Sequence, residues 1–287
     1  MRSVSGSGTV HPGIAHRGPR SSDDVGMERS TPAGHAEHAQ SKVPRITLAF
    51  WVVKILATTV GETGGDALSM TLQLGYAVST AVFLAFFVVT LVGQVRSDRY
   101  HPLYYWLVVV ATTTVGTTTS DMFDRTLGLG YVKSSAIELA LVVAVLVTWR
   151  LSTGAIHADR ITTRRDELFY WLTILVSNTL GTALGDFVAD TAGVGFEKGA
   201  LVFAGLLVVV AALHFFTRIS TPILFWAAYV LTRPLGATLG DTLTKPVAEG
   251  GLDIGRIESS IAIAVAMVVL ILSTSLRTRT PVPDAST

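Results

Sequence analysis

The chain has 287 residues, 49% hydrophobic and only 15% charged, with a mean hydropathy of +0.51, whereas an ordinary soluble domain carries about 25% charged residues. Its 22 Lys and Arg nearly cancel its 21 Asp and Glu, so the concentrated basic face that nucleic acid requires is missing and no nucleic-acid partner is expected. There is no cysteine, which excludes a disulfide framework, thiolate catalysis and soft sulfur metal sites.

Residues 1–43 are rich in Ser, Gly, Pro and His and lack apolar periodicity, the composition of a disordered polar tail. No apolar core follows a basic start, so the segment does not read as a secretory signal. It carries four of the seven histidines, His11, His16, His35 and His38, as a solvated arm or a metal-sensing tail, and is assigned no function. From Pro44 onward apolar runs recur near 46–65, 74–95, 102–120, 130–150, 167–186, 195–216, 220–241 and 255–276. Each matches the roughly 20 residues that cross a hydrocarbon core as helix. Solid runs such as 81–92 lack the in/out alternation of barrel strands. The expected fold is an all-α polytopic membrane helix bundle: eight transmembrane helices over 44–279, then a short tail at 280–287. Lys42, Arg45, Arg96, Arg99, Arg150, Arg160, Arg164, Arg165, Arg218, Arg277 and Arg279 gather at one set of connections, which places that side and both termini in the cytoplasm.

Self-comparison exposes four copies of one unit. Trp51, Trp106, Trp171 and Trp226 each stand ten residues before Gly61, Gly116, Gly181 and Gly236, and each glycine stands five before Asp66, Asp121, Asp186 and Asp241. Nine residues past the aspartate come Gly75-Tyr76, Gly130-Tyr131 and Gly195-Phe196, whereas the fourth copy has Gly255-Arg256 after extra residues. The tryptophans lie 55, 65 and 55 residues apart, as if a two-repeat half had been duplicated. The units span about 45–99, 100–160, 165–218 and 219–279. With two helices each, successive units run parallel, so their motifs converge at similar depth about an axis along the membrane normal.

The four tryptophans and G-x4-D motifs resemble a family of bacterial integral-membrane proteins of unknown function, built from four tandem two-helix repeats with a characteristic Trp. The resemblance covers about residues 45–277. It implies a bacterial inner-membrane location and leaves activity to the residues themselves.

Counting from each Trp, the seventh residue is Thr58, Thr113, Asn178 or Arg233, the eleventh Glu62, Thr117, Thr182 or Ala237, and the fifteenth the aspartate. Steps of four keep these on one helical stripe, polar within an otherwise apolar helix. The motif glycine either packs helices closely or breaks the helix to free carbonyls, and Pro234 favours a kink in the seventh helix. The aspartates either line a shared interior or cap helix ends at the outer mouth. Four residues beyond them stand Met70, Arg125, Asp190 and Lys245. Asp121 and Asp241 therefore have a base at helical spacing and read as structural ion pairs. Glu62, Asp66, Asp186 and Asp190 have none and are the candidate cation or proton ligands. Lys54 and Arg233 lie inside membrane runs as counter-ions or anion binders. Glu138 is a secondary candidate. The tryptophans read as interfacial anchors.

Carboxylates and Thr hydroxyls are hard oxygen donors suited to small, often divalent cations, and no nucleotide-binding loop appears. The leading expectation is a secondary transporter of a small cation, with or without proton exchange, and no resident cofactor. A non-transporting scaffold or sensor is the alternative. An intramembrane aspartyl hydrolase fits less well, because the G-x-G-D signature is absent and Thr63, Thr118, Ala183 or Thr238 stands three before each aspartate.

Overall fold

The computed structural model describes residues 42–97, 100–156, 161 and 163–277. The four tail histidines, residues 1–41 of the polar tail and residues 280–287 lie outside the described residues. Lys42 and Val43, assigned to the tail from composition, sit against the helices. The Lys42 ammonium bonds the Glu167 carboxylate at 2.9 Å and donates to the Val95 carbonyl at 3.1 Å.

Among the described residues eight long helices follow one another: α1 Leu48–Asp66, α2 Gly75–Arg96, α3 Pro102–Asp121, α4 Tyr131–Thr153, α5 Arg164–Asp186, α6 Phe196–Phe216, α7 Thr221–Thr244 and α8 Arg256–Arg277. Their starts carry local signals. Thr47 caps α1 by accepting from the Phe50 amide, and Thr163 caps α5 by accepting from the Asp166 amide, satisfying donors that have no partner within the helix. Proline opens α3 and α7, where its missing N–H costs nothing.

Six of the helices, α2 and α4 to α8, are long and apolar enough to cross a membrane, which points to a multi-pass integral membrane protein. The remaining two, α1 and α3, have spanning length, but the Lys, Glu and Thr residues of their inward stripe dilute their apolarity. Only 11–22% of the apolar windows of α2, α4, α6 and α8 are buried, against 61–67% in α5 and α7. Even-numbered helices are therefore an outer shell with apolar surface turned outward, and odd-numbered helices form the interior.

The arrangement is a closed ring. The chain of contacts α1–α3–α5–α7 returns to α1, and each outer helix packs chiefly on the inner helix of the next repeat: α2 on α3, α4 on α5, α6 on α7 and α8 on α1. The last repeat thus closes on the first. Matching motif positions touch around the ring, as detailed below, so the inner helices run parallel at a common depth.

Connections explain the remaining repeat features. After Asp66, Asp121 and Asp186 the helix widens into one π-turn, Ala67–Thr71, Met122–Thr126 and Phe187–Thr191. Gly130 and Gly195 then cap the next helix at φ of 71° and 81°, conformations that side chains with a Cβ resist. In the fourth repeat α7 instead runs on to Thr244 and a short 3-10 turn follows, which accounts for its divergent spacing. All four inner helices continue unbroken through the motif glycine, and α7 continues through Pro234. The glycines therefore pack rather than break.

Candidate functional site

Each motif glycine receives the seventh-position residue of the following repeat. A Cβ added at Gly61 would lie 2.2 Å from Thr113 Oγ1, one at Gly116 2.9 Å from the Asn178 backbone, one at Gly181 2.4 Å from Arg233 Cγ, and one at Gly236 2.2 Å from Thr58 Oγ1. This cyclic register brings the backbones close, and hydroxyls then bond across them. Thr113 donates to the Ala57 carbonyl at 3.2 Å, Thr58 to Thr232 at 3.1 Å and Thr117 to Gly61 at 3.2 Å.

The stripe turned toward the ring centre extends over five levels spaced by four residues. From the tryptophan end they are Phe50, Tyr105, Tyr170 and Phe225; Lys54, Val109, Ile174 and Tyr229; Thr58, Thr113, Asn178 and Arg233; Glu62, Thr117, Thr182 and Ala237; and the four aspartates. At 1.5 Å per residue the column is about 24 Å long. Every member is buried. Arg233 proves that the stripes converge: its Nη2 on α7 reaches Glu62 Oε2 of α1 at 2.8 Å, Thr182 Oγ1 of α5 at 2.6 Å, and Thr117 Oγ1 of α3. One side chain from α7 thus touches all three other inner helices.

Above Arg233 the carboxylates are bridged in pairs. Arg125 meets Asp121 at 3.1 Å and Asp186 at 3.7 Å; Lys245 meets Asp241 at 3.4 Å and Asp66 at 4.0 Å. Each base thus serves its own repeat at helical spacing and the next repeat across the ring. Arg256 adds a contact to Asp66 at 3.4 Å. Burial works against the Lys245 ammonium, yet the Asp241 and Asp66 carboxylates hold its pKa above the ordinary lysine value. Among the described residues, one carboxylate group meets the geometry of a cation site: Glu62, Asp66 and Asp241, each buried, with oxygens within 4.8 Å of one another.

That set differs from the one read off the sequence. Glu62 and Asp66 belong to it; Asp186 and Asp190 stand apart. The sequence grouping joined repeats 1 and 3, but the ring makes repeats 2 and 4 the neighbours of repeat 1, and Asp241 takes the place expected of Asp186. Asp186 pairs with Arg125 instead. Asp190 is exposed, with the Tyr131 hydroxyl at 3.5 Å, because it sits on the π-turn beyond the buried column. Asp121 and Asp241 do form the local ion pairs expected of them. Thr58, Thr113, Thr117, Asn178, Thr182, Lys54 and Arg233 all lie in the column. Glu138, 1% exposed, sits on the outer-shell helix α4, with both oxygens unpartnered among the described residues.

Two features went unread in the sequence. Arg256 reaches Asp66 only because α8 closes the ring. The aromatic floor was accessible by stepping the stripe back four residues from Lys54 to Phe50; there the Tyr105 and Tyr170 hydroxyls bond at 2.8 Å. The tryptophans pack into this floor, Trp51 and Trp226 only partly buried. Trp106 and Trp171 are 5% and 1% exposed and pack against Tyr105 and Tyr170.

Fold and site together define a class: a helical membrane protein whose four repeats close around one buried ionic column. Four consecutive stretches, residues 49–100, 104–155, 169–220 and 224–280, match the family described as a repeat of unknown function, DUF347, and the chain belongs to that family. No curated protein and no solved structure is detectably similar to it.

Proposed function

We propose that the protein is a secondary transporter of a small hard cation across the bacterial inner membrane, with all eight helices spanning and both termini cytoplasmic. The observation that carries this reading is the buried Glu62, Asp66 and Asp241 triad, whose oxygens lie within 4.8 Å. Carboxylates inside a membrane are costly and persist where they pair or where they line an ion path. Three convergent oxygen donors suit a divalent cation, and a carboxylate freed of its base also accepts a proton.

The cation's route to the triad follows from the ion pairs. Lys245 stands between Asp66 and Asp241, so an incoming cation takes the place of its ammonium and the lysine swings aside. Arg233 bars the way below by holding Glu62. Passage requires that pair to open, which links occupancy of the triad to the state of the gate. Resident cofactors and covalent chemistry have no part in this scheme.

Flux into proteoliposomes tests it. Asp66→Asn and Asp241→Asn should abolish uptake of the transported cation, while Asp190→Asn should retain the parental rate. Parental flux of every tested ion in both triad variants overturns the assignment. A static scaffold is the second reading, because each carboxylate of the column already has a base; it predicts no flux from the parent protein either.

A further inference from the structure

At the tryptophan end one corner recurs, where an outer helix, the inner helix it covers and the tryptophan of the next inner helix come together. Three repeat-equivalent positions form it: the nineteenth residue past the glycine at the start of the outer helix, the residue two before the covered helix's tryptophan, and the next tryptophan. On α4, α5 and α7 these are Trp149, Phe169 and Trp226. Trp149 is 0% exposed; it stacks on Phe169 with ring centroids 6.2 Å apart and meets Trp226 edge-on at 6.1 Å. On α8, α1 and α3 the same positions hold Thr274, Ala49 and Trp106. Two of the three rings are replaced by small side chains, and all three residues line a cavity of about 920 Å³.

This cavity is amphipathic. Its inner wall is apolar, with Phe50, Val53 and Trp106 only 2–5% exposed. Arg45 and Thr47 line it from the exposed side. Arg45 is the one charged residue among the described lining residues, and it forms no ion pair among them. The first turn of α1 lies beside it and contains no acid; amides in that turn lack partners within the helix and favour an anion. The α6 corner, with His214 and Leu224, opens to about 540 Å³ without Arg or Lys among its described lining residues, so charge singles out the α8 corner. Basic pockets between membrane helices suit anionic head groups, and 920 Å³ lies within the roughly 300–1,000 Å³ of ligand sites. We propose that the α8 corner binds one phospholipid with an anionic head group. An acyl chain takes the space that the rings of Trp149 and Phe169 occupy at the α4 corner, and the phosphate lies between Arg45 and the start of α1. The cation triad stands at the opposite end of the inner helices, so the two sites are independent.

Native mass spectrometry of the full chain, released from vesicles of equal phosphatidylglycerol and phosphatidylcholine, tests it. One phosphatidylglycerol should stay bound, several-fold in excess of phosphatidylcholine. The double variant Ala49→Phe with Thr274→Trp rebuilds the stack of the α4 corner and should lose that lipid. Arg45→Gln should hold the two lipids equally. A parent that retains neither lipid overturns the proposal and leaves the cavity to a segment of the chain itself. Equal retention of both lipids by the parent overturns it too, as does a phosphatidylglycerol that survives in the filled variant. Should the filled variant fail to fold, an unaltered preference in Arg45→Gln overturns it as well.

Discussion

The ring depends on residues that have no side chain where the next helix needs room. Gly61 and Gly64 lie one turn apart on α1 and meet different surroundings. A Cβ at Gly61 would stand 2.2 Å from Thr113 Oγ1 and 2.4 Å from its Cβ, whereas one at Gly64 finds nothing nearer than Ser260 Oγ at 3.9 Å. Overpacking a tight contact costs about 1–3 kcal/mol, and alanine gains up to about 1 kcal/mol over glycine in a helix interior. Gly61→Ala should therefore lower stability and Gly64→Ala should leave it unchanged or raise it, read as opposite displacements of the melting midpoint. At the column's centre, Arg233→Met strips Glu62 of its base inside the protein. Breaking a buried pair from one side costs on the order of 3–5 kcal/mol, while replacing both partners with neutral groups is far milder. The double variant Glu62→Gln with Arg233→Met should accordingly be more stable than Arg233→Met alone; equal midpoints would show that the pair is not coupled.

At the scale of helices, charge placement follows the duplication of two-repeat halves. Arg125 and Lys245 occupy equivalent positions in repeats 2 and 4, and each holds its own aspartate plus that of the following repeat. Their local pairs were legible in the sequence because a spacing of four fixes neighbours along one helix. The cross-repeat halves of those bridges were not, because they depend on which inner helix stands beside which. For the same reason the sequence pattern alone joins the carboxylates of repeats 1 and 3, which have no base at a spacing of four, although α1 packs on α3 and α7. Lys245→Met should cost on the order of 3 kcal/mol by leaving Asp241 without a base. The lysine's pKa is held above its ordinary value by Asp241 and Asp66. Its stabilising contribution is therefore fully in force below the unfolded value of about 10.4 and declines as pH climbs through the raised folded value. Melting curves of parent and Lys245→Met should keep a constant gap up to about pH 10 and converge above it. A gap that widens with alkalinity would assign the ion pair the wrong sign.

For the whole molecule, the repeat arithmetic was enough to place the eight helices within three residues at each end, because length, apolar runs and four equal spacings constrain one another. Closure was not available from it: nothing in a linear pattern says that the outer helix of one repeat leaves its own partner to cover the next, or that α8 returns to α1. Closure matters for orientation, since it puts every aspartate at one end of the column and every motif tryptophan at the other. The basic connections lie at the tryptophan end, and basic loops stay in the cytoplasm, so the aspartate end should face outward. The absence of cysteine makes this directly measurable, because a single introduced thiol is the only one in the chain. Leu127, 61% exposed on the aspartate side, and Ile219, 42% exposed on the tryptophan side, are suitable positions. In intact cells a membrane-impermeant maleimide should label Leu127→Cys and spare Ile219→Cys, and inverted vesicles should reverse the pattern. The opposite labelling would turn the molecule over and place the aspartate end of the column at the cytoplasmic face.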